Sequence, residues 1–128
     1  MIPRQYLNQP VLVADDFSTM RKIIKNSLQT MGFTTIIEAQ DGVEAWEKLE
    51  KEPVILIISD WNMPRMQGID LLKKVKQDPK YAQIPFIMVT AEGQKECVIE
   101  AIKSGVNNYV VKPFTTEVLE QKIQQVLK

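Results

Sequence analysis

The chain alternates short apolar runs with longer stretches in which apolar residues recur every third or fourth position. The short runs lie at residues 11–14, 34–38, 54–58, 84–89 and 108–111. The run at 54–58 is apolar without alternation, which fits a strand covered on both faces rather than one. Between them, Met20, Ile23, Ile24, Leu28 and Met31 define the inward face of a first helix, with Ser18 placed to cap it and Gly32 suited to the left-handed residue beyond its end. Asp41-Gly42 opens a second helix with Val43, Trp46 and Leu49 on one face, closed by Pro53. A loop from Met63-Pro64 to Gly68 leads into a third, carrying Ile69, Leu72 and Val75 and stopped at Asp78-Pro79. Residues 94–104 form a fourth with Val98, Ala101 and Ile102 inward, stopped by Gly105. Thr115 caps the last, which turns Leu119, Ile123, Val126 and Leu127 inward.

Five strands alternating strictly with five helices predict an α/β fold with one parallel sheet and helices on both faces. Right-handed crossovers make this a doubly wound (βα)5 three-layer sandwich, with the flavodoxin-like strand order 2-1-3-4-5. Residues 1–10, with Pro3 and Pro10 and no periodicity, read as a loose arm, and residues 11–128 as the domain. The pattern leaves nothing over for an output domain.

Four of the runs end abruptly in polar groups: the first in Asp15-Asp16, the third, past Ser59, in Asp60, the fourth in Thr90 and the fifth in Lys112. In parallel strands all of these emerge at the same sheet edge, where doubly wound folds bind their ligands. Three carboxylates so close repel one another and take up protons unless a cation lies among them. The chain has no histidine and one cysteine, Cys97. Histidine bases, histidine-ligated zinc and histidine-containing triads are therefore excluded, and the natural guest is an oxygen-ligated hard cation such as Mg²⁺, which accepts one or two carboxylates, waters and a phosphate oxygen. Lys112 adds a fixed positive charge and Thr90 a hydroxyl donor. Phosphoryl transfer needs little more than alignment and charge neutralisation. Asp60, alone at the end of the most buried run, is the candidate nucleophile, with Asp16 and, through a water, Asp15 holding the metal. Each residue also has an ordinary structural alternative: Asp16 as a helix cap, Thr90 bonded to local backbone, Lys112 as a solvated side chain.

Sixteen Lys and Arg balance sixteen Asp and Glu, so no basic surface advertises a nucleic-acid or membrane partner. A lone cysteine fits a reducing compartment, and no apolar run approaches the roughly 18 residues of a membrane span. The expectation is a soluble, cytoplasmic monomer, with Cys97 an ordinary helical residue.

Asp15-Asp16-Phe-Ser-Thr-Met-Arg, Asp60-Trp-Asn-Met-Pro, Gly68, Thr90-Ala-Glu and Asn107-Asn-Tyr-Val-Val-Lys112-Pro-Phe-Thr together resemble the receiver domain of bacterial two-component response regulators, over residues 11–128. Within that family the likeness is greatest to stand-alone chemotaxis receivers. The resemblance implies that Asp60 accepts a phosphoryl group from a phosphohistidine on a sensor histidine kinase. It implies Mg²⁺ ligation by Asp16 and Asp60, by Asp15 through water and by the backbone carbonyl of Asn62. Asn62 and Glu92 match positions that tune autodephosphorylation, and a separate phosphatase is a possible further partner. Thr90 and Tyr109 match a switch pair in which Thr90 is drawn inward and Tyr109 rotates, altering the face of the fourth helix, fifth strand and fifth helix. That face binds the flagellar motor switch protein in chemotaxis receivers. Small Ala91 leaves the phosphoryl pocket open, and a cis Lys112-Pro113 bond is expected. Such a protein catalyses only its own phosphorylation and dephosphorylation and is not otherwise an enzyme. Gln67 departs from the Asp or Asn usual before Gly68.

Rival readings are weaker. A non-motor receiver could act as a phosphate sink or phosphorelay intermediate. A dehalogenase-type phosphohydrolase keeps nucleophile and acid in one Asp-x-Asp motif, whereas these acids lie on separate strands. An FMN-binding flavodoxin would meet an acidic crevice that repels the cofactor's phosphate. A pseudo-receiver is disfavoured because every site position is filled, and a P-loop is excluded by the missing Gly-Lys-Ser/Thr element.

Overall fold

The computed structural model describes residues 2–91 and 95–127. Five parallel strands, β1 (Val11–Ala14), β2 (Ile36–Ala39), β3 (Leu56–Asp60), β4 (Phe86–Ala91) and β5 (Asn108–Lys112), form one sheet in the order β2-β1-β3-β4-β5. Helices α1 (Ser18–Met31), α2 (Gly42–Lys51), α3 (Gly68–Gln77), α4 (Lys95–Lys103) and α5 (Thr116–Val126) follow the strands in turn. This is the doubly wound sandwich the patterning predicts.

Strand side chains alternate between two cores. Leu12, Ala14, Ile57, Phe86 and Met88 pack with residues of α2, α3 and α4, while Val11, Val13, Leu56, Ile58, Ile87 and Val89 pack with α1 and α5. The central strands β1 and β3 are wholly buried, which is why β1 and residues 56–58 of β3 lack a polar alternate.

Several local expectations are corrected. Residues 2–10 are not a loose arm. Ile2 is buried against the α1–α5 core, Arg4–Tyr6 is a 3₁₀ turn, and the carbonyl of Leu7 accepts the N–H of Thr34 at 3.0 Å. Ser18 does not cap α1. Phe17 occupies that position without a side-chain cap, and Asp15 Oδ1 instead accepts the Phe17 N–H at 2.9 Å, an Asx-type turn two residues long. The strands β2, β3 and β4 begin and end later in the chain than the apolar runs do. In β4 the reason is pairing: Thr90 and Ala91 continue the ladder opposite Val111 and Lys112. Ile23 and Ile102, expected inward, are exposed, because Ile24 and Ala101 take the buried rows. In α2 the buried positions are Gly42, Ala45 and Leu49, with Val43 and Trp46 only half-buried.

Other termini follow the sequence. Gly32 ends α1 at φ 109°, a left-handed conformation that a Cβ disfavours. Asp41 Oδ1 accepts the Glu44 N–H at 2.8 Å to start α2, and Thr115 accepts the Val118 N–H to start α5. Among the described residues, no helix is long and apolar enough to cross a membrane.

Candidate functional site

The register of the sheet assembles the site. Ala14 pairs with Ser59, so Asp15, the next residue, stands level with Asp60. Asp60 pairs in turn with Val89, leaving Thr90 one residue further out, and Ala91 pairs with Lys112. Sequence positions 15, 60, 90 and 112 are thus carried to one edge by four adjacent strands.

Carboxylate oxygens of Asp15, Asp16 and Asp60 all lie within 4.8 Å of one another. Asp15 and Asp60 are buried, and Asp16 is exposed at the rim. Lys112 Nζ sits 3.1 Å from Asp60 Oδ1 and 3.8 Å from Asp15 Oδ2. The second distance is an ion pair but too long for a hydrogen bond. Among the described residues, Asp15 Oδ2 and Thr90 Oγ1 are buried polar atoms without a hydrogen-bond partner. Such atoms are uncommon in folded proteins, and finding two at one sheet edge marks a place built to receive another group.

The electrostatics agree. Burial pushes the Asp15 carboxyl up to about 6; the nearby Asp60 and Asp16 charges add to this, and the Phe17 N–H and Lys112 oppose it. Asp60 is also raised, by burial first, although Lys112 and the Trp61 N–H hold it back. Lys112 cannot neutralise three carboxylates, so ionising them all leaves about two negative charges in a partly desolvated volume. An oxygen-only donor set with an orphaned carboxylate oxygen fits a hard cation such as Mg²⁺ and no thiol- or imidazole-seeking metal.

Asn62 lies exposed in the loop following Asp60. Tyr109 is half-buried on β5, with Lys122 Nζ 5.1 Å from its ring centre. Together with Thr90, Val98, Ile99 and Val111 it lines a groove of about 340 Å³ running from the acidic edge towards α4. The Lys112-Pro113 bond is cis. Glu92 falls outside the described residues. One contact near the site was not legible in the sequence: Asp41, read only as a helix start, also accepts from Arg65 Nε at 3.0 Å. Burial works against the Asp41 charge, but the Glu44 N–H and Arg65 outweigh it and hold the carboxyl below its ordinary value. The two residues are 24 positions apart, and only the folded loops reveal the pair.

A parallel sheet of order 2-1-3-4-5 carrying paired acids after β1, an acid ending β3, a hydroxyl on β4 and a lysine on β5 defines a signalling receiver. Residues 11–124 match the response regulator receiver domain, and the chain belongs to that family. It is 55% identical over 118 residues to chemotaxis protein CheY1 of Helicobacter pylori, covering 91% of this chain and 95% of that protein. With a chemotaxis protein CheY homolog of Campylobacter jejuni it shares 56% identity over 118 residues, covering 91% of each chain. Among solved structures, the chemotaxis response regulator CheY4 of Vibrio cholerae superposes with a TM-score of 0.85 at 36% identity, over 94% of this chain and 99% of that one.

Proposed function

We propose that this chain is a chemotaxis response regulator. It accepts a phosphoryl group on Asp60 from a phosphohistidine of a sensor histidine kinase, and in that state binds the flagellar motor switch. The observation that carries the reading is the convergence of three carboxylates within 4.8 Å with Lys112 Nζ 3.1 Å from Asp60 and the buried hydroxyl of Thr90, which has no hydrogen-bond partner among the described residues.

In the transfer, an Asp60 carboxylate oxygen forms a bond to phosphorus as the phosphorus–nitrogen bond to the donor imidazole breaks, and the departing imidazole takes up a proton. Asp15, Asp16, Asp60 and the backbone carbonyl of Asn62 would hold Mg²⁺. When bound, it neutralises the clustered carboxylates and the phosphoryl oxygens. Lys112, already against Asp60, supplies the remaining positive charge. Asp60 is held there by its own strand and by Lys112, so little rearrangement precedes the attack. Water entering beside Asn62 would later hydrolyse the acyl phosphate, with Asn62 and Glu92 setting its access.

Output requires two packings with different affinity for the phosphoryl group. The Thr90 hydroxyl, buried and without a hydrogen-bond partner among the described residues, is placed to donate to a phosphoryl oxygen, and movement of β4 towards the site would open space for Tyr109 along the groove they share. Ile99 and Val111 in that groove, with Ile102 and Val118, expose large apolar surface on α4, β5 and α5, suited to an apolar-faced target segment. A kinase donor and a motor target would place the protein in the cytoplasm.

The test uses Trp61, half-buried beside Asp60. In Mg²⁺, beryllofluoride should change wild-type fluorescence in a saturable way. Asp60→Asn should show no response, and Tyr109→Ala should keep the response while losing affinity for motor-switch protein. A saturable beryllofluoride response in Asp60→Asn would reject Asp60 as the acceptor.

A further inference from the structure

The loop between β3 and α3 carries Trp61 and Asn62 directly out of Asp60, so its position sets part of the acidic site. It is closed at its base, where the Gly68 N–H donates to the Trp61 carbonyl at 2.9 Å. Its far side is tied to a different loop. The Gly42 N–H donates to the Met66 carbonyl at 3.0 Å, and Arg65 Nε donates to Asp41 Oδ2 at 3.0 Å. The two loops meet so closely that a Cβ on Gly42 would fall 2.5 Å from the Met66 carbonyl oxygen. Arg65 reaches Asp41 from a backbone at φ 65°, a left-handed conformation that a non-glycine residue holds only when its surroundings enforce it. Asp41 is itself fixed, because its other oxygen caps α2.

We propose that Arg65 is a positioning residue for the phosphoryl site: by clasping Asp41 it anchors the β3–α3 loop to the start of α2 and so fixes where Asn62 and Trp61 stand relative to Asp60. The inference rests on the reading of Asp60 as the Mg²⁺-dependent phosphoacceptor. It differs from an ordinary surface ion pair, which contributes little. The Arg65 side chain is 58% exposed but the Asp41 side chain only 8%, and a backbone hydrogen bond runs alongside. The pair's contribution to global stability is small; its effect is on the loop.

The experiment compares wild type, Arg65→Met, Asp41→Asn, the double variant and Arg65→Lys. Methionine keeps the left-handed backbone no easier than arginine does, and asparagine can still cap α2, so each variant isolates the clasp. Three readouts are taken: amide exchange of Gly42 in metal-free protein, Mg²⁺ titration by Trp61 fluorescence, and labelling by acetyl phosphate as a function of Mg²⁺. The expected result is faster Gly42 exchange in both single variants, with the Mg²⁺ midpoint raised roughly threefold to tenfold and the labelling plateau held within about twofold. The double variant should match the singles, and Arg65→Lys should recover part of the change. A wild type that quenches and labels normally while Arg65→Met behaves identically overturns the clasp alone, as do fully additive single variants. A wild type that neither quenches nor labels overturns the underlying reading and the clasp with it.

Discussion

Asp15→Asn should stabilise the metal-free protein by about 2–3 kcal/mol at pH 7, although it removes a charge that faces Lys112. The wild-type carboxyl is raised from 3.8 to about 6, mainly by burial. A group whose folded value lies above its unfolded one binds its proton more tightly in the native state. Its stabilising contribution is therefore complete below about pH 4 and disappears as pH rises through about 6. Each pH unit between the two values is worth about 1.4 kcal/mol, which gives the stated magnitude. Urea melts at a series of pH values should show the advantage of Asp15→Asn near zero at pH 4 and growing to its full size by pH 7. Asp60 is displaced in the same direction. Asp41, whose carboxyl is held low, acts the other way, losing stability as pH falls, so the variant-minus-wild-type difference is the clean quantity. Millimolar Mg²⁺ should erase the advantage, because the cation compensates in wild type what the amide compensates in the variant. An advantage independent of both pH and Mg²⁺ would show that the raised carboxyl is not the origin.

Gly68→Ala should cost about 3 kcal/mol or more and disturb the site at the same time. Gly68 is not in a left-handed conformation; the constraint is space. A Cβ there would press into the Asp60 carbonyl oxygen and stand 3.1 Å from Met88 Sδ. The first residue of α3 lies directly beneath the end of β3, and backbone meets backbone, so no side chain can yield to make room. Either α3 retreats, loosening the buried row Ile69, Leu72 and Val75, or Asp60 moves away from Lys112. Both routes should appear as a lower urea midpoint with a weakened Trp61 response to Mg²⁺. An unchanged midpoint would mean that the helix start adjusts freely.

The positions that meet at the edge could be read from the chain because parallel strands share polarity: whatever ends one apolar run must neighbour whatever ends the next. Approximate run boundaries suffice for this, so the later limits of β2, β3 and β4 leave the convergence intact. Closure against other elements is a different matter. Ser18 has the chemistry of a helix cap, but α1 begins one residue earlier than a Ser18 cap requires, with Phe17 at the cap position and its N–H held by Asp15 Oδ1. Ile23 and Ile102 obeyed helical spacing yet point outward, since spacing alone does not say which of two adjacent apolar rows faces the sheet. Ile2 is aperiodic in sequence and buried in space, packed in the core that α1 and α5 share. Asp41 with Arg65, and Gly68 beneath Asp60, depend on two loops brought together by the crossover connections. No local pattern encodes them.

The central claim is an acyl phosphate on Asp60, and borohydride trapping tests it most directly. The protein is incubated with acetyl phosphate and Mg²⁺, then reduced: hydride converts an aspartyl phosphate to homoserine and releases phosphate. Peptide mass spectrometry should find homoserine at position 60 and nowhere else, with none when Mg²⁺ is withheld. Homoserine at position 15 or 16, or an unreduced Asp60 in protein that has taken up phosphate, would contradict the account.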